Sequence, residues 1–223
     1  MDEDPLPDVT ADFARALGPE PDDVLAEMDA YADEQGFPTV GPAVGGWLQL
    51  LAELVDARRV FEFGSGFGYS AYWFARGLPA DGEVVLTEVD ADELELAREY
   101  LDRGGYADRA TFEHGDAIEI VDGYDGPFDV VLVDNEKPRY RDAFAAVRER
   151  VAPGGLVVAD NAMTASVVDF ERLAALVDGD DPGDVNEHTR GVFEYLQAVR
   201  EAPGFETVLL PLGEGVAVSR KAD

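Results

Sequence analysis

RVFEFGSGFGYS (59–70) decides the fold. RVFEF (59–63), with Val60, Phe61 and Phe63, reads as a strand. The stretch from Tyr69 to Leu78 reads as a helix. Gly64, Gly66 and Gly68 fill the passage between them. Glycine lets a backbone turn tightly and approach a ligand, and the following helix N-terminus offers amide donors. Glycines at a strand end also serve turns alone, so the loop by itself is a weak signal. The dinucleotide fingerprint requires a third glycine at position 69, and this chain has Tyr69 there. A dehydrogenase is therefore the lesser reading.

Working outward, the same alternation continues. EVVLT (83–87) is a second strand, followed by the helix DELELAREYLDR (92–103). ATFEH (110–114) is a third, with a short helix after Asp116. FDVVLVD (128–134) is a fourth, with a helix from about Arg139 to Val151. LVVAD (156–160) is a fifth, after a turn at Pro153–Gly155. Short apolar strands alternating with helices imply a parallel sheet covered on both faces. An acidic loop then leads to a helix at about 189–201. FETVLLP (205–211) and GVAVSRK (215–221) follow across a tight turn, so they form an antiparallel pair. Before Arg59 the chain reads as helices, one near Thr10 and Asp12, one from Pro21, and one near Pro42. In the last, Trp47, Leu48, Leu50, Leu51, Leu54 and Val55 suit a core face. The expectation is one α/β domain, with helices in 1–57 and a doubly wound seven-stranded sheet in 58–223. The sheet is mostly parallel and ends in an antiparallel hairpin, with helices on both faces.

Composition sets limits. No apolar run approaches the ~20 residues a membrane helix needs. MDEDPLPD lacks the basic and apolar regions of a secretory signal, and without cysteine neither disulfides nor thiolate zinc sites can form. A cytoplasmic enzyme is the plain expectation. The 48 acidic residues against 17 basic give a net charge of −31 and are spread along the chain, not gathered in a tail. Adaptation to high salt explains that spread better than an acidic binding protein does, because salt screens the repulsion. The same surplus counts against nucleic acid as a partner, which relies on lysine and arginine.

Residues that can carry chemistry lie at strand ends. Glu88 ends the second strand, where a carboxylate can accept both hydroxyls of a ribose; the alternative is a surface glutamate. Asp116 after the third could accept from an adenine amino group. Glu62 is a carboxylate inside an apolar strand, costly without a donor such as the ammonium of a methionine moiety. The fourth and fifth strands deliver Asp134, Asp160 and Asn161, a hard-oxygen set suited to magnesium. Each could equally be a helix cap. Lys137 is one of only two lysines and stands three residues beyond Asp134. Beside a divalent cation its pKa should fall, suiting a base for a substrate hydroxyl. His114 and His188 read as ordinary polar positions.

These blocks together resemble the cation-dependent O-methyltransferase family that includes catechol and caffeoyl-CoA O-methyltransferases, from about Thr39 to Lys221. The resemblance implies a Rossmann-like class I methyltransferase fold, S-adenosyl-L-methionine (SAM) and Mg2+ or another divalent cation. TVGPAVGG (39–46) implies Val40 at the methionine end of the cofactor, and EFGSGFGYS (62–70) implies contacts from Glu62, Gly64, Gly66 and Ser70. TEVD (87–90) implies Glu88 on the ribose, and GDA (115–117) implies Asp116 and Ala117 at the adenine. VDNEKPRY (133–140) resembles an Asp-x-x-Lys signature, implying Asp134 as metal ligand, cofactor contact and catalytic residue, and Lys137 as catalytic lysine. ADN (159–161) implies Asp160 and Asn161 as the other ligands. The resemblance also implies a homodimer and a small-molecule hydroxyl acceptor, catechol-like or phenolic. After Asn161 the chain has AMTASVVD (162–169), without the tryptophan and glycine that many members carry there. Two rival expectations are a methyltransferase acting on a hydroxylated nucleotide in RNA and a non-catalytic SAM-binding scaffold.

The charge makes one expectation independent of any site. Crowded carboxylates repel most when poorly screened, so the melting temperature should rise from dilute to molar potassium chloride. A flat or falling curve would contradict the high-salt reading.

Overall fold

A computed structural model describes residues 8–223, with backbone only for Asp8, Ala11 and Asp12; MDEDPLP (1–7) lies outside the described residues. The helices α1 (Asp8–Leu17), α2 (Asp23–Gln35) and α3 (Gly41–Leu54) come first. The Asp22 carboxylate accepts from the Leu25 amide at 3.0 Å to start α2, and Gly36 in the left-handed region ends it. No helix among the described residues is long and apolar enough to cross a membrane.

The alternating core follows: β1 (Arg59–Phe63), α4 (Tyr69–Gly77), β2 (Glu83–Glu88), α5 (Ala91–Arg103), β3 (Ala110–His114), α6 (Ala117–Ile120) and β4 (Phe128–Val133). It continues with α7 (Tyr140–Val147), β5 (Val151–Ala159), α8 (Phe170–Asp178), α9 (Glu187–Glu201), β6 (Phe205–Leu210) and β7 (Val216–Lys221). The seven strands form one sheet in the order β3-β2-β1-β4-β5-β7-β6. β1 to β5 are parallel, and β7 enters antiparallel between β5 and β6. Alternate strand residues feed two cores. Val60, Val84, Leu86, Val130 and Leu132 pack with α2 to α5. Phe61, Phe63, Val85, Val131 and Val133 pack with α7 and α9. Burial on both faces is why these strands read as continuous apolar runs.

Several expectations change. On α3 only Leu48 and Leu51 of the expected face are buried, Val55 is partly covered, and Trp47, Leu50 and Leu54 are exposed. The helix expected over 139–151 is a 3-10 turn at Lys137–Arg139, then α7, then a second 3-10 turn at Arg148–Arg150. The Pro153–Gly155 turn lies within β5 as an irregularity, where pairing with β4 jumps from Phe128↔Val151 to Val130↔Leu156. α8 was not anticipated. It buries only Leu173 and packs with Val168 and Val192 in a small separate cluster, so its apolar stripe is narrow.

α9 seats the segment after β4. A Cβ on Gly191 would lie 2.3 Å from the Lys137 carbonyl oxygen and 2.6 Å from the Pro138 Cα. Backbone cannot yield as a flexible side chain does, so Gly191→Ala should lower stability by about 1–3 kcal/mol and displace Lys137. An unchanged urea midpoint would show that α9 does not set this segment.

Candidate active site at the carboxyl edge of the sheet

One cavity of about 510 Å³ opens above the carboxyl ends of the parallel strands. Its position follows from topology: the strand order reverses between β1 and β4, and a crevice forms where the two crossovers diverge. Gly64, at φ 80°, closes the floor there. A Cβ on it would come 2.8 Å from the Asp134 carbonyl oxygen, so only glycine lets the two strand ends meet.

At one end of the cavity, Val40, Gly64, Gly66, Ser70, Glu88, Asp116 and Ala117 are all in its wall. Glu88 Oε2 accepts from the Gly66 amide at 2.8 Å, and Oε1 accepts from the amides of Val89 at 2.8 Å and Asp90 at 3.0 Å. The carboxylate is thereby held against the glycine loop. Asp116 is more occupied than its expected adenine role requires. Oδ1 accepts from the Ile118 amide at 2.9 Å as the cap of α6, and Oδ2 accepts from Arg139 at 2.7 Å. The Arg139 hydrogen bond holds its carboxyl below the usual range. Glu62 does not line the cavity. It is fully buried, neither carboxylate oxygen makes a well-formed hydrogen bond, and the nearby Ser70 hydroxyl offsets only part of the desolvation. Burial pushes its pKa up to about 8.

At the other end Asp134, Lys137, Asp160 and Asn161 share the same wall. The Asp160 amide donates to the Val133 carbonyl at 3.4 Å, drawing the two strand ends together. Lys137 Nζ lies 3.5 Å from Asp134 Oδ1, and its side chain is largely buried. The Tyr140 hydroxyl is fully buried and donates to the Asp160 carbonyl at 3.1 Å, with Asp134 Oδ1 at 3.4 Å. Burial raises Asp134 to about 6, although Lys137 and Tyr140 pull it down. Asp160 is raised well above the ordinary value by burial and then by the neighbouring Asp134 charge. Its Oδ1 is buried without a hydrogen-bond partner. Asn161 takes φ 51°, which breaks strand alternation just where consecutive residues must both turn to the cavity.

A buried carboxylate with an orphaned oxygen, a half-buried carboxylate that repels it and a side-chain amide fit a divalent cation. Among the described residues no group of three or more His, Cys, Asp or Glu is arranged for a metal, so the amide oxygen is needed to complete the set. A model of the family described as O-methyltransferase matches residues 23–222. The chain belongs to the O-methyltransferase family.

The O-methyltransferase is 38% identical over 151 residues to a catechol O-methyltransferase from Niastella koreensis, covering 65% of this chain and 68% of that protein. It is 30% identical over 209 residues to caffeoyl-CoA O-methyltransferase 1 of Eucalyptus globulus, covering 91% and 82%. The crystal structure of the O-methyltransferase TomG from Streptomyces achromogenes, in complex with SAM, superposes with a TM-score of 0.81 at 26% identity, covering 96% of both chains.

Four residues at this cavity carry more than the sequence reading assigned. His114 is an exposed polar position, as expected, with Nε2 3.0 Å from the Val89 carbonyl oxygen. His188 is not ordinary: it lines the cavity, and its Nδ1 is buried without a partner. The cause is α9, which starts at Glu187 and packs its first turns on the Lys137 segment. Arg139, Tyr140 and Glu214 were also passed over. The first two stand inside the quoted VDNEKPRY block. Glu214 comes from the β6–β7 turn, whose place beside Asn161 depends on a hairpin returning across the sheet.

The buried Glu62 gives a pH dependence. Unfolded, its carboxyl titrates near 4.5; folded, near 8. Between these values the folded state keeps a proton that the unfolded state has lost. Stability from this group is therefore full below 4.5 and is lost as pH rises through 8. Glu62→Gln should match the wild type near pH 4 and exceed it at pH 8, by on the order of a few kcal/mol. Parallel urea-unfolding profiles would mean that Glu62 is ionised in the folded protein.

Proposed function

We propose that this chain is a SAM-dependent, divalent-metal-assisted O-methyltransferase acting on one hydroxyl of a small acceptor, with a vicinal aromatic diol as the fitting chemistry. The observation carrying this reading is continuity. The glycine loop with Glu88 and the Asp134–Lys137–Asp160–Asn161 group open onto one cavity, so a donor and an acceptor can meet within it.

Glu88 would receive the ribose hydroxyls, Ala117 the adenine, and Val40, Gly64, Gly66 and Ser70 the methionine portion. Glu62, beneath the loop, would meet the ammonium through water. Asp134, Asp160 and Asn161 would hold Mg2+ or a similar cation. Bound SAM would supply the electrophilic methyl group, and the cation would supply charge stabilisation to an ionising acceptor oxygen. Lys137, as a neutral amine, would accept or relay the hydroxyl proton at Nζ, which lies 3.5 Å from Asp134 Oδ1 and 5.4 Å from the centre of the Tyr140 ring. The walls keep oxygen and methyl carbon in line, which is chiefly a matter of orientation.

The acceptor wall is formed by one short turn. Ala165, Ser166 and Val167 line it, in a turn closed by pairing of Ala165 with Val168. Asn186 Nδ2 donates to the Val167 carbonyl at 3.1 Å, and the Asp169 amide donates to Thr189 at 2.9 Å, pinning the turn to α9. The exposed Trp47, Leu50 and Leu54 on α3 supply an apolar face consistent with a homodimer. A cysteine-free chain suits the reducing cytoplasm.

Lys137 decides the chemistry. Lys137→Ala should lower turnover of a catechol-type diol by about 10²–10⁴-fold while SAM and Mg2+ affinities stay near wild type. Lys137→Arg should not rescue, because a guanidinium does not release its proton near neutral pH. Full turnover by Lys137→Ala would remove the lysine from the mechanism.

A further inference from the structure

The Asn161 side chain is an amide whose two ends are alike in shape and opposite in function. Only its oxygen can coordinate a cation; the NH2 end presents two donors. Something must choose between the two orientations. The Asn161 Nδ2 donates to Glu214 Oε2 at the cavity rim. With the nitrogen engaged by a carboxylate, Oδ1 is the atom left for a metal. The reverse orientation would set the amide oxygen against the Glu214 carboxylate, two acceptors facing without a hydrogen.

The backbone is latched at the same place. The Ala162 amide donates to the Gly215 carbonyl at 2.8 Å, and the amides of Met163 and Thr164 donate to the Glu214 carbonyl at 3.1 and 2.8 Å. Glu214 thus grips the segment that follows Asn161 through its main chain and the Asn161 side chain through its carboxylate. Asn161 sits at φ 51°, beyond the end of β5, where no strand pairing holds it. The turn between β6 and β7 replaces that support.

We propose that Glu214 is a positioning residue that fixes the Asn161 amide with its oxygen available to the divalent cation. The proposal rests on the metal reading above. A hydrogen bond from an amide to a charged carboxylate is stronger than a neutral one, and partners of ligating residues commonly tune metal affinity. Glu214 also adds a negative charge near the site, and charge alone could raise affinity for a cation. The two effects separate by substitution. Glu214→Gln keeps an acceptor oxygen for the Asn161 N–H and removes the charge. Glu214→Ala removes both.

Titration of the full chain with Mn2+ alone, followed calorimetrically at fixed ionic strength, reads the site without turnover. Glu214→Ala should bind Mn2+ about 10-fold more weakly, and Glu214→Gln should stay within about threefold of wild type. In an Asn161→Ala background, which itself weakens binding, adding Glu214→Ala should cause little further loss, because the group it positions is gone. Melting temperatures of the single variants should stay close to wild type. An equal loss in Glu214→Gln and Glu214→Ala would overturn the proposal in favour of charge or direct coordination. Wild-type Mn2+ affinity in Glu214→Ala, with or without a fall in melting temperature, would reduce Glu214 to a structural latch. Additive losses in the double variant would also sink it. If the wild-type chain binds no Mn2+, the metal reading fails and this assignment fails with it.

Discussion

β1 and β4 are neighbours in the sheet although the chain visits β2 and β3 between them, and the site follows from that pairing. The Asp134 amide donates to the Phe63 carbonyl at 2.9 Å, so the last rung of the pair sits directly under Gly64. Crossovers leave these two ends in opposite directions and cannot cover the gap above them. A bulkier residue at 64 would press on the Asp134 backbone and pry the ends apart. The glycine loop, Asp134 and, through the next strand, Asp160 are therefore placed by one rung of backbone hydrogen bonds. Everything nearer the ligand is side-chain detail built on that rung.

The carboxylates around the cavity fall into two kinds. Glu88 and Asp116 are satisfied inside the protein, by backbone amides and by Arg139 respectively. Such groups are rigid before any ligand arrives, which lowers the ordering cost of binding. Glu62 and Asp160 are buried with oxygens that nothing satisfies. A fold gains nothing from leaving such groups unpaired, since each orphaned acceptor costs free energy. Under the proposed function the missing partners would be cationic, an ammonium at one end and a metal ion at the other.

The sheet was legible because burial on both faces writes itself into local sequence. RVFEF and ATFEH match their strands residue for residue, and the strand ends carried Glu88, Asp134 and Asp160 to one edge. The failures share a cause. α8 covers little of the core, so its pattern is weak beside the acidic loop. Trp47, Leu50 and Leu54 look like core residues because hydrophobicity alone does not say whether a partner element covers that side of α3. His188 and Glu214 reach the site only through the packing of α9 and the return of β7 between β5 and β6. Neither contact is local in sequence, and a histidine or glutamate in a loop carries no periodic signal.

A net charge of −31 does not by itself concentrate cations in the cavity, because distance and screening limit its reach. At molar salt the field of a surface carboxylate fades within ~3 Å, so acids spread over the surface give a bound cation almost nothing. Discrimination must come from atoms in contact, in a place salt does not reach. Asp160 is nearly inaccessible and Lys137 mostly so, which shields their interactions from the counterions that neutralise the exterior. The scarcity of lysine sharpens the point: cationic groups elsewhere are almost all arginines, and one of the two lysines stands beside Asp134. Surface charge and site chemistry are therefore separable in this chain, the first screened by solvent ions and the second shielded from them by burial.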